Sequence, residues 1–396
     1  MVRSAQSLRA TLALLIAGLV TFALLYTTQP LLPVFTQEFH VQPVDSSVSL
    51  SITTLTLSVS MLFAGSVSAR IGRKRVMVGS LLISSFLTVL MAACSHFSEL
   101  IGLRALMGVT LAGVPSLAMA YVRDEFPAKA IGAMMGIYVG GTTVGGMTGR
   151  IAMGALTDSL SWRMGFLAIG GACLLLSAIF SWALPGEHPD TRSKRASQLA
   201  FFSGLREKIA DRSLLPLYFI GFFLMGGFVT MYNYISYLLV GPPYHLSQTQ
   251  VGWIFLMYLL GTVASIWMGR VADVKGRIWT FRFGAIIMLT GVLITLSTSL
   301  VARLVGLALC TFGFFAGQSV ASGWVGERAQ SGTEQASSLY LLFYYVGSSM
   351  AGTVGGVFWT HSGWPGIVLF VSSLICAGIG CSVWASAGES ERQRCW

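Results

Sequence analysis

The chain of 396 residues is 54% hydrophobic and only 10% charged, with 45 glycines and a formal net charge of +10. A soluble domain devotes about a quarter of its residues to charge, so this chain lacks the polar coat that a globule in water needs. Length and apolar content together exclude a soluble enzyme or binding module and point to a polytopic membrane protein.

A membrane-crossing helix takes about 20 apolar residues. Twelve runs of that kind follow one another, over 10–33, 47–69, 76–95, 99–122, 130–155, 164–184, 214–240, 250–268, 280–299, 302–325, 336–359 and 365–385. The runs are continuous and lack barrel-type alternation, which predicts helices. The first begins behind MVRSAQSLR and has the outline of a secretory leader. No small-residue cleavage site follows and apolar character persists to Pro33, so a retained span is expected. This run ends unusually: Thr27, Thr28 and Gln29 are polar, and Pro30 and Pro33 oppose a regular helix. A bend is expected there, with the polar side chains lining an aqueous cavity.

Charge predicts orientation. With the start of the chain placed in the cytoplasm and the connections alternating, 21 of the 25 basic residues fall on the inner side; Arg104, Arg150, Arg163 and Arg303 do not. The positive-inside rule then puts both termini in the cytoplasm of a cell (inner) membrane. The inside basic residues are expected to meet anionic lipid head groups of the bilayer, and no nucleic-acid partner is needed to account for them. The six cysteines are scattered, with no C-x-x-C, so neither a disulfide framework nor a metal site is expected.

The two halves echo each other. GSVSARIGRK at 65–74 and GRVADVKGRI at 269–278 are offset by 204; YVGGTTVGGMTG at 138–149 and YVGSSMAGTVGG at 345–356 by 207. Phe22 and Tyr26 match Phe228 and Tyr232 at 206, and Trp162 matches Trp364 at 202. The longest polar connection lies between the sixth and seventh runs. The expected fold is therefore an all-α membrane protein of twelve transmembrane helices in two pseudo-symmetric six-helix bundles: 1–185, a cytoplasmic linker loop over 186–212, and 213–396. Duplication of this kind is the architecture of secondary transporters, with substrate near mid-membrane where the repeats meet.

Four motifs make a resemblance specific. The loop after the second run carries Gly65, Ala69, Arg70, Gly72, Arg73 and Lys74; the fourth run carries Arg104 and Gly108; the fifth carries Gly141, Thr142, Gly145 and Gly146; the first carries Pro30 and Pro33. Across essentially its whole length the chain resembles the major facilitator superfamily, and within it the twelve-span proton-linked family that exports drugs and sugars. The resemblance implies the major facilitator fold and a gating role for the loop after the second run. It also implies a seal between rocking bundles at the fifth run's glycines, and proton transfer or anion attraction at Arg104. Two positions depart from the family pattern. The acidic residue of the loop motif is Ala69 here, although the second copy keeps it as Asp273, within Gly269, Asp273, Gly276 and Arg277. The proline of the fifth-run motif is Thr142.

Physically, glycines at 65 and 72 are expected to permit close approach and a tight turn. Asp124 or Glu125 is a candidate substitute partner for Arg70, the alternative being a basic loop that only meets lipid. A charge inside a span costs at least about 2.5–3.5 kcal/mol, so Arg104 either faces a cavity or partner, sharing a polar layer with Gln29, or snorkels outward near Glu99. The glycines of the fifth run suit backbone-to-backbone packing, with or without a coupling role. Candidate substrate-binding residues are Tyr26, Gln29, Arg104, Tyr138, Tyr232, Asn233, Gln318 and Tyr345, each with packing or interfacial anchoring as its plainer role. No acid lies deep in a run, since Glu38, Asp45, Glu99 and Asp158 fall at run edges. This weighs against lipophilic cations and favours an uncharged polar or anionic substrate.

The expected function is secondary active transport: proton-coupled export of small polar organic molecules, sugars or drugs, by alternating access, functioning as a monomer and using an ion gradient in place of any cofactor. An importer or facilitator of the same fold, or a membrane sensor that binds without transporting, are the rivals. No nucleophile–base spacing, P-loop or metal-ligand set appears, so an enzyme is not expected.

Overall fold

The computed structural model describes residues 2–185 and 198–394, and among the described residues there is no strand. Among the described residues, eleven helical stretches are long and apolar enough to cross a membrane. They are α1 (Leu8–Glu38), α2 (Pro43–Ile71), α3 (Arg73–Met91), α4 (Phe97–Asp124), α5 (Lys129–Ser159), α6 (Trp162–Ala183), α7 (Leu215–Val240), α8 (Gln248–Lys275), α9 (Arg277–Ile294), α10 (Leu300–Arg328) and Thr333–Ser386. The last is broken at Gly363, with φ 58° and ψ −144°. Pro365, just beyond, suits the start of a new helix. The stretch is therefore two spans, α11 before Gly363 and α12 after it, and the twelve apolar runs become twelve spans.

Two spans are interrupted for readable reasons. In α1 the helix runs to Tyr26, passes through a 3-10 turn at Gln29–Leu31 and resumes over Leu32–Glu38. Pro30 and Pro33 supply no amide donor there, and Thr27 turns its hydroxyl back to the Leu24 carbonyl at 3.0 Å. In α4 the helix breaks at Ala112, because the ring of Pro115 clashes with the carbonyl of Leu111 four residues back.

Contacts divide the chain into two compact units. One is built from Met1–Val41, Val48–Ala196 and Leu246–Phe255, the other from Gln42–Ser47, Ser197–His245 and Leu256–Trp396. The expected boundaries at 185 and 213 are thus refined in two ways. Residues 186–197 of the expected linker lie outside the described residues, and the rest of it is the helix Gln198–Ala210. This helix belongs to the second unit: Gly204 packs on Gln335, and Tyr218 donates to the Lys208 carbonyl at 3.4 Å. In addition, two short segments group with the opposite half. Val44 packs against Gly356 of α11, and Asp158 of α5 accepts from the backbone amides of Gln248 and Thr249, capping the start of α8.

Within each unit one seam is made of backbone. A Cβ at Gly141, Gly145 or Gly149 of α5 would stand within 3.0 Å of Leu15, Leu19 or Ala23 of α1 respectively. In the second unit the same holds for Gly347 of α11 against Phe222 of α7 and for Gly355 against Thr230, with Ala351 meeting Gly226 between them. Small residues every fourth position let two helices touch along their axes, the usual means of association where lipid removes the hydrophobic drive. The seams correspond at an offset of 206 (Gly141 with Gly347, Gly145 with Ala351). That is one residue less than the motif spacing, so equivalence of packing and of letters differ by one position.

The loops after α2 and α8 also share a design. Gly72 and Gly276 have φ of 99° and 85°, values that favour glycine and fix the turn into the next helix. Gly65 does not have its expected role: a Cβ there would meet nothing within 4 Å, so no helix approaches it. Immediately after each loop glycine an arginine at the start of the new helix pairs with an acid at the far end of the helix that follows: Arg73 with Asp124, and Arg277 with both carboxylate oxygens of Glu327. Asp124 thus pairs with Arg73, and Glu327 is the carboxylate on Arg277 while Asp273 stays exposed. The side chain of Glu125 lies outside the described residues. Because both pairs are partly exposed, Asp124→Asn or Glu327→Gln is expected to lower stability by no more than about 1 kcal/mol, measured as the thermal midpoint in detergent.

Candidate functional site

The first unit contains two wholly enclosed arginines, and they are built differently. Arg104 of α4 is 0% exposed. Its Nε donates to the Ser49 carbonyl at 2.7 Å, Nη1 to Leu24 at 3.2 Å and Nη2 to Leu25 at 2.8 Å. Those carbonyls belong to α2 and to the last turn of α1 before its break. The α1 carbonyls are available because the helix does not continue regularly beyond them. Arg104 thus pins three helices together through backbone. Neither Gln29 nor Glu99 receives its donors. Glu99 instead accepts from the amides of Ser95 and His96, capping its own helix.

Arg150 of α5 is 2% exposed and is held by a side-chain amide and two rings as well as by a backbone carbonyl. Its Nε donates to Oε1 of Gln29 at 2.7 Å and its Nη1 to the Gly146 carbonyl at 2.5 Å. The guanidinium carbon lies 4.0 Å from the ring centre of Tyr26 and 4.7 Å from that of Phe255. Gln29 reaches it because the turn at Gln29–Leu31 swings the amide off the axis of α1, and Arg150 reaches back because Gly146 leaves room. A Cβ at Gly146 would stand 3.2 Å from Nη1. Two further polar groups of this unit, the Thr28 hydroxyl and the Gln248 amide oxygen, are buried without a hydrogen-bond partner among the described residues. The polar layer expected around Gln29 therefore forms with Arg150. A guanidinium clasped between two aromatic faces and an amide is a fixed cation in low dielectric, suited to recognising carboxylate, phosphate or hydroxyl groups.

The remaining candidates are distributed as follows. Tyr138 of α5 is buried, its hydroxyl without a partner among the described residues. In the second unit the Tyr232 hydroxyl pairs with that of Thr311 at 2.7 Å, and its ring stands 4.9 Å from Phe228 and 5.1 Å from Tyr258. Asn233, the next residue, is fully buried. Gln318 accepts from the Tyr340 hydroxyl at 2.6 Å, and Tyr345 packs edge-on to Tyr344 with ring centres 5.2 Å apart. The structure brings Tyr26 and Gln29 together within the first unit. Tyr232, Asn233, Gln318 and Tyr345 all lie in the second unit, Tyr232 in an aromatic cluster with Phe228, Tyr258 and Phe314. Gly141 and Gly145 face α1, whereas Gly146 faces Arg150.

Sequence reasoning passed over Arg150 and Phe255. The signal for Arg150 was the same as for Arg104, a charge inside an apolar run, since residue 150 falls within the run 130–155. Phe255 carried no signal, because its role depends on the start of α8 packing in the first unit.

Twelve apolar helices in two repeated halves, with two enclosed arginines in the first unit, are the build of a membrane transporter. The chain belongs to the major facilitator superfamily, whose family model matches residues 14–241 and 218–394. It is 43% identical to the uncharacterized MFS-type transporter YybF of Bacillus subtilis (strain 168), over 94% of this chain and 92% of that protein. It is 44% identical to the inner membrane transport protein YnfM of Escherichia coli (strain K12), over 93% of this chain and 88% of that one. Among solved structures, a bacterial homolog of the human lysosomal transporter Spinster, in an inward-facing and unoccupied conformation, superposes with a TM-score of 0.71. It covers 97% of this chain and 96% of its own, at 16% identity. That likeness is one of fold.

Proposed function

We propose that this transporter exports small polar organic molecules, uncharged or anionic, in exchange for protons, working as a monomer by alternating access with both termini in the cytoplasm of the cell membrane. The observation that carries the substrate class is Arg150, a buried cation whose described contacts are an amide, a carbonyl and two aromatic rings. An ionisable group inside a span is costly and normally marks a substrate or ion path. The glycines of α5, in a pattern resembling the antiporter motif, support export over import. The relative named as an inner membrane transport protein supports the membrane assignment. Glu99, Asp158 and Glu327 are engaged as helix caps or ion pairs. A proton carrier among them therefore has to leave a hydrogen bond to work.

The test is flux in proteoliposomes under an imposed pH gradient, with a neutral hexose, a monocarboxylate and a lipophilic cation as cargo. The wild type is expected to move one of the first two against its own gradient, collapsing when a protonophore is added. Arg150→Gln is expected to slow that flux at least tenfold and Arg150→Lys to retain part of it. Transport of the lipophilic cation alone, unchanged in Arg150→Gln, would overturn the reading. Flux only down the cargo gradient, insensitive to the protonophore, favours a facilitator.

A further inference from the structure

We infer that the second unit carries a built site for the head group of an anionic phospholipid, in a groove at the junction of α8 and α9 beside the end of α10. The groove has a volume of about 700 Å³. Its polar end holds Lys275, Arg277, Arg282 and Glu327. Arg277 is balanced by Glu327. Lys275 is exposed, has no hydrogen-bond or ion-pair partner among the described residues, and rests its ammonium 4.6 Å from the ring centre of Trp279. Arg282 is half-buried and oriented by neutral hydroxyls: Nε donates to Ser382 at 3.0 Å and Nη2 to Ser386 at 3.3 Å. Two cations are thus presented to one groove without a carboxylate on either, and one of them is fixed in direction.

The other end of the groove is apolar. Trp279 and Phe283 stack with ring centres 5.2 Å apart, and Ile286 continues the line. These side chains are 45%, 42% and 55% exposed. Ile286 lies nine residues on from Arg277 along α9, about 14 Å at 1.5 Å per residue. The groove therefore passes from cationic to hydrocarbon-like over the depth at which a bilayer does the same, so its complement is a molecule with a phosphodiester at one end and an acyl chain at the other. A free phosphate would use only half of it. The charge distribution puts this end of α9 at the cytoplasmic leaflet, where anionic lipid is available and where basic pockets between spans bind such head groups. The first unit has no copy. At the repeat offset of 204, Lys275, Trp279 and Arg282 correspond to Ile71, Arg75 and Val78, so the site is not a by-product of the repeated loop. This inference rests on the orientation proposed above but not on the substrate or coupling reading.

The experiment is native mass spectrometry of the purified full chain titrated with dioleoyl-phosphatidylglycerol, dioleoyl-phosphatidylcholine or soluble sn-glycerol 3-phosphate. Wild type is expected to retain one phosphatidylglycerol with at least tenfold preference over phosphatidylcholine. Lys275→Gln with Arg282→Gln is expected to abolish that preference, and Lys275→Gln alone to weaken it at least threefold. The single variant removes an exposed group without a described hydrogen bond, so it keeps the test valid should the double variant fold poorly. A control, Arg123→Gln with Lys129→Gln, removes basic residues outside the groove and is expected to change retention less than twofold. Equal losses in the control would mean diffuse attraction to the basic face and would overturn the site. So would equal retention of phosphatidylcholine, or displacement of the lipid by equimolar glycerol phosphate.

Discussion

Replacing Gly145 by leucine is expected to lower stability by about 3 kcal/mol, at or above the upper end of ordinary overpacking. The atom a side chain would meet there is the Leu19 carbonyl oxygen, part of the α1 backbone. A neighbouring side chain can rotate away, but a helix backbone yields only by moving the helix. Gly141 meets the Leu15 carbonyl in the same way, and Gly347 meets that of Phe222 in the second unit. Leucine at any of the three is expected to give the same large drop in thermal midpoint, with α1 parted from α5 or α7 from α11. The sharper comparison uses adjacent glycines. Gly140→Ala places its methyl where nothing lies within 4 Å, and the gain in helix propensity of about 1 kcal/mol is then expected to show as a higher midpoint. Gly141→Ala, one residue on, is expected to lower it. Equal effects at 140 and 141 would mean that the seam is not where the helices touch.

The second large effect belongs to Arg104. Removing its guanidinium in Arg104→Met takes a charged donor from each of the carbonyls of Leu24, Leu25 and Ser49, of which Leu24 keeps the Thr27 hydroxyl and Ser49 that of Thr53. Hydrogen bonds from a charged donor are worth about 1.5–3 kcal/mol each, and relief of the buried charge offsets part of three such losses. A net loss of about 3 kcal/mol is expected. Lysine, with one compact ammonium in place of a planar fork, is expected to recover less than half of it. The measurement is thermal unfolding in detergent, read beside proteoliposome flux for the same samples. Arg104 variants are expected to lose stability first and flux only in proportion to folded protein, whereas Arg150→Gln loses flux from protein that remains folded. A fully stable Arg104→Met without flux would move Arg104 back into the transport path.

The contrast shows what the sequence made legible and what it withheld. Hydrocarbon is a demanding solvent, so the twelve spans could be counted from composition, and the doubling of the chain from its motifs. Whether a buried charge meets carbonyls or side chains depends on where a neighbouring helix bends. Arg104 and Arg150 send the same sequence signal, a cation in an apolar run, and only the turn at Gln29–Leu31 decides that one takes the α1 backbone and the other the Gln29 amide. The loop arginines are similar. Composition announced that Arg70, Arg73 and Arg277 lie at helix ends, but the pairing of Arg73 with Asp124 and of Arg277 with Glu327 is set by how far the following helix reaches. Gly65 was over-read for the opposite reason: the residue type permits close approach, but no helix is near enough to use it.

The α1–α5 seam has a consequence for the order in which the protein is made. Gln29 and Arg150 are 121 residues apart, and at 5–20 residues per second a ribosome needs about 6–24 s to span that interval. Throughout it the first helix is present without the partner that covers its small-residue stripe, and its bent, polar end waits for a cation not yet translated. The early chain must then be sheltered at the insertion machinery until the fifth helix emerges, and slowed synthesis between α1 and α5 would lengthen the exposure of an unfinished, quality-control-sensitive intermediate.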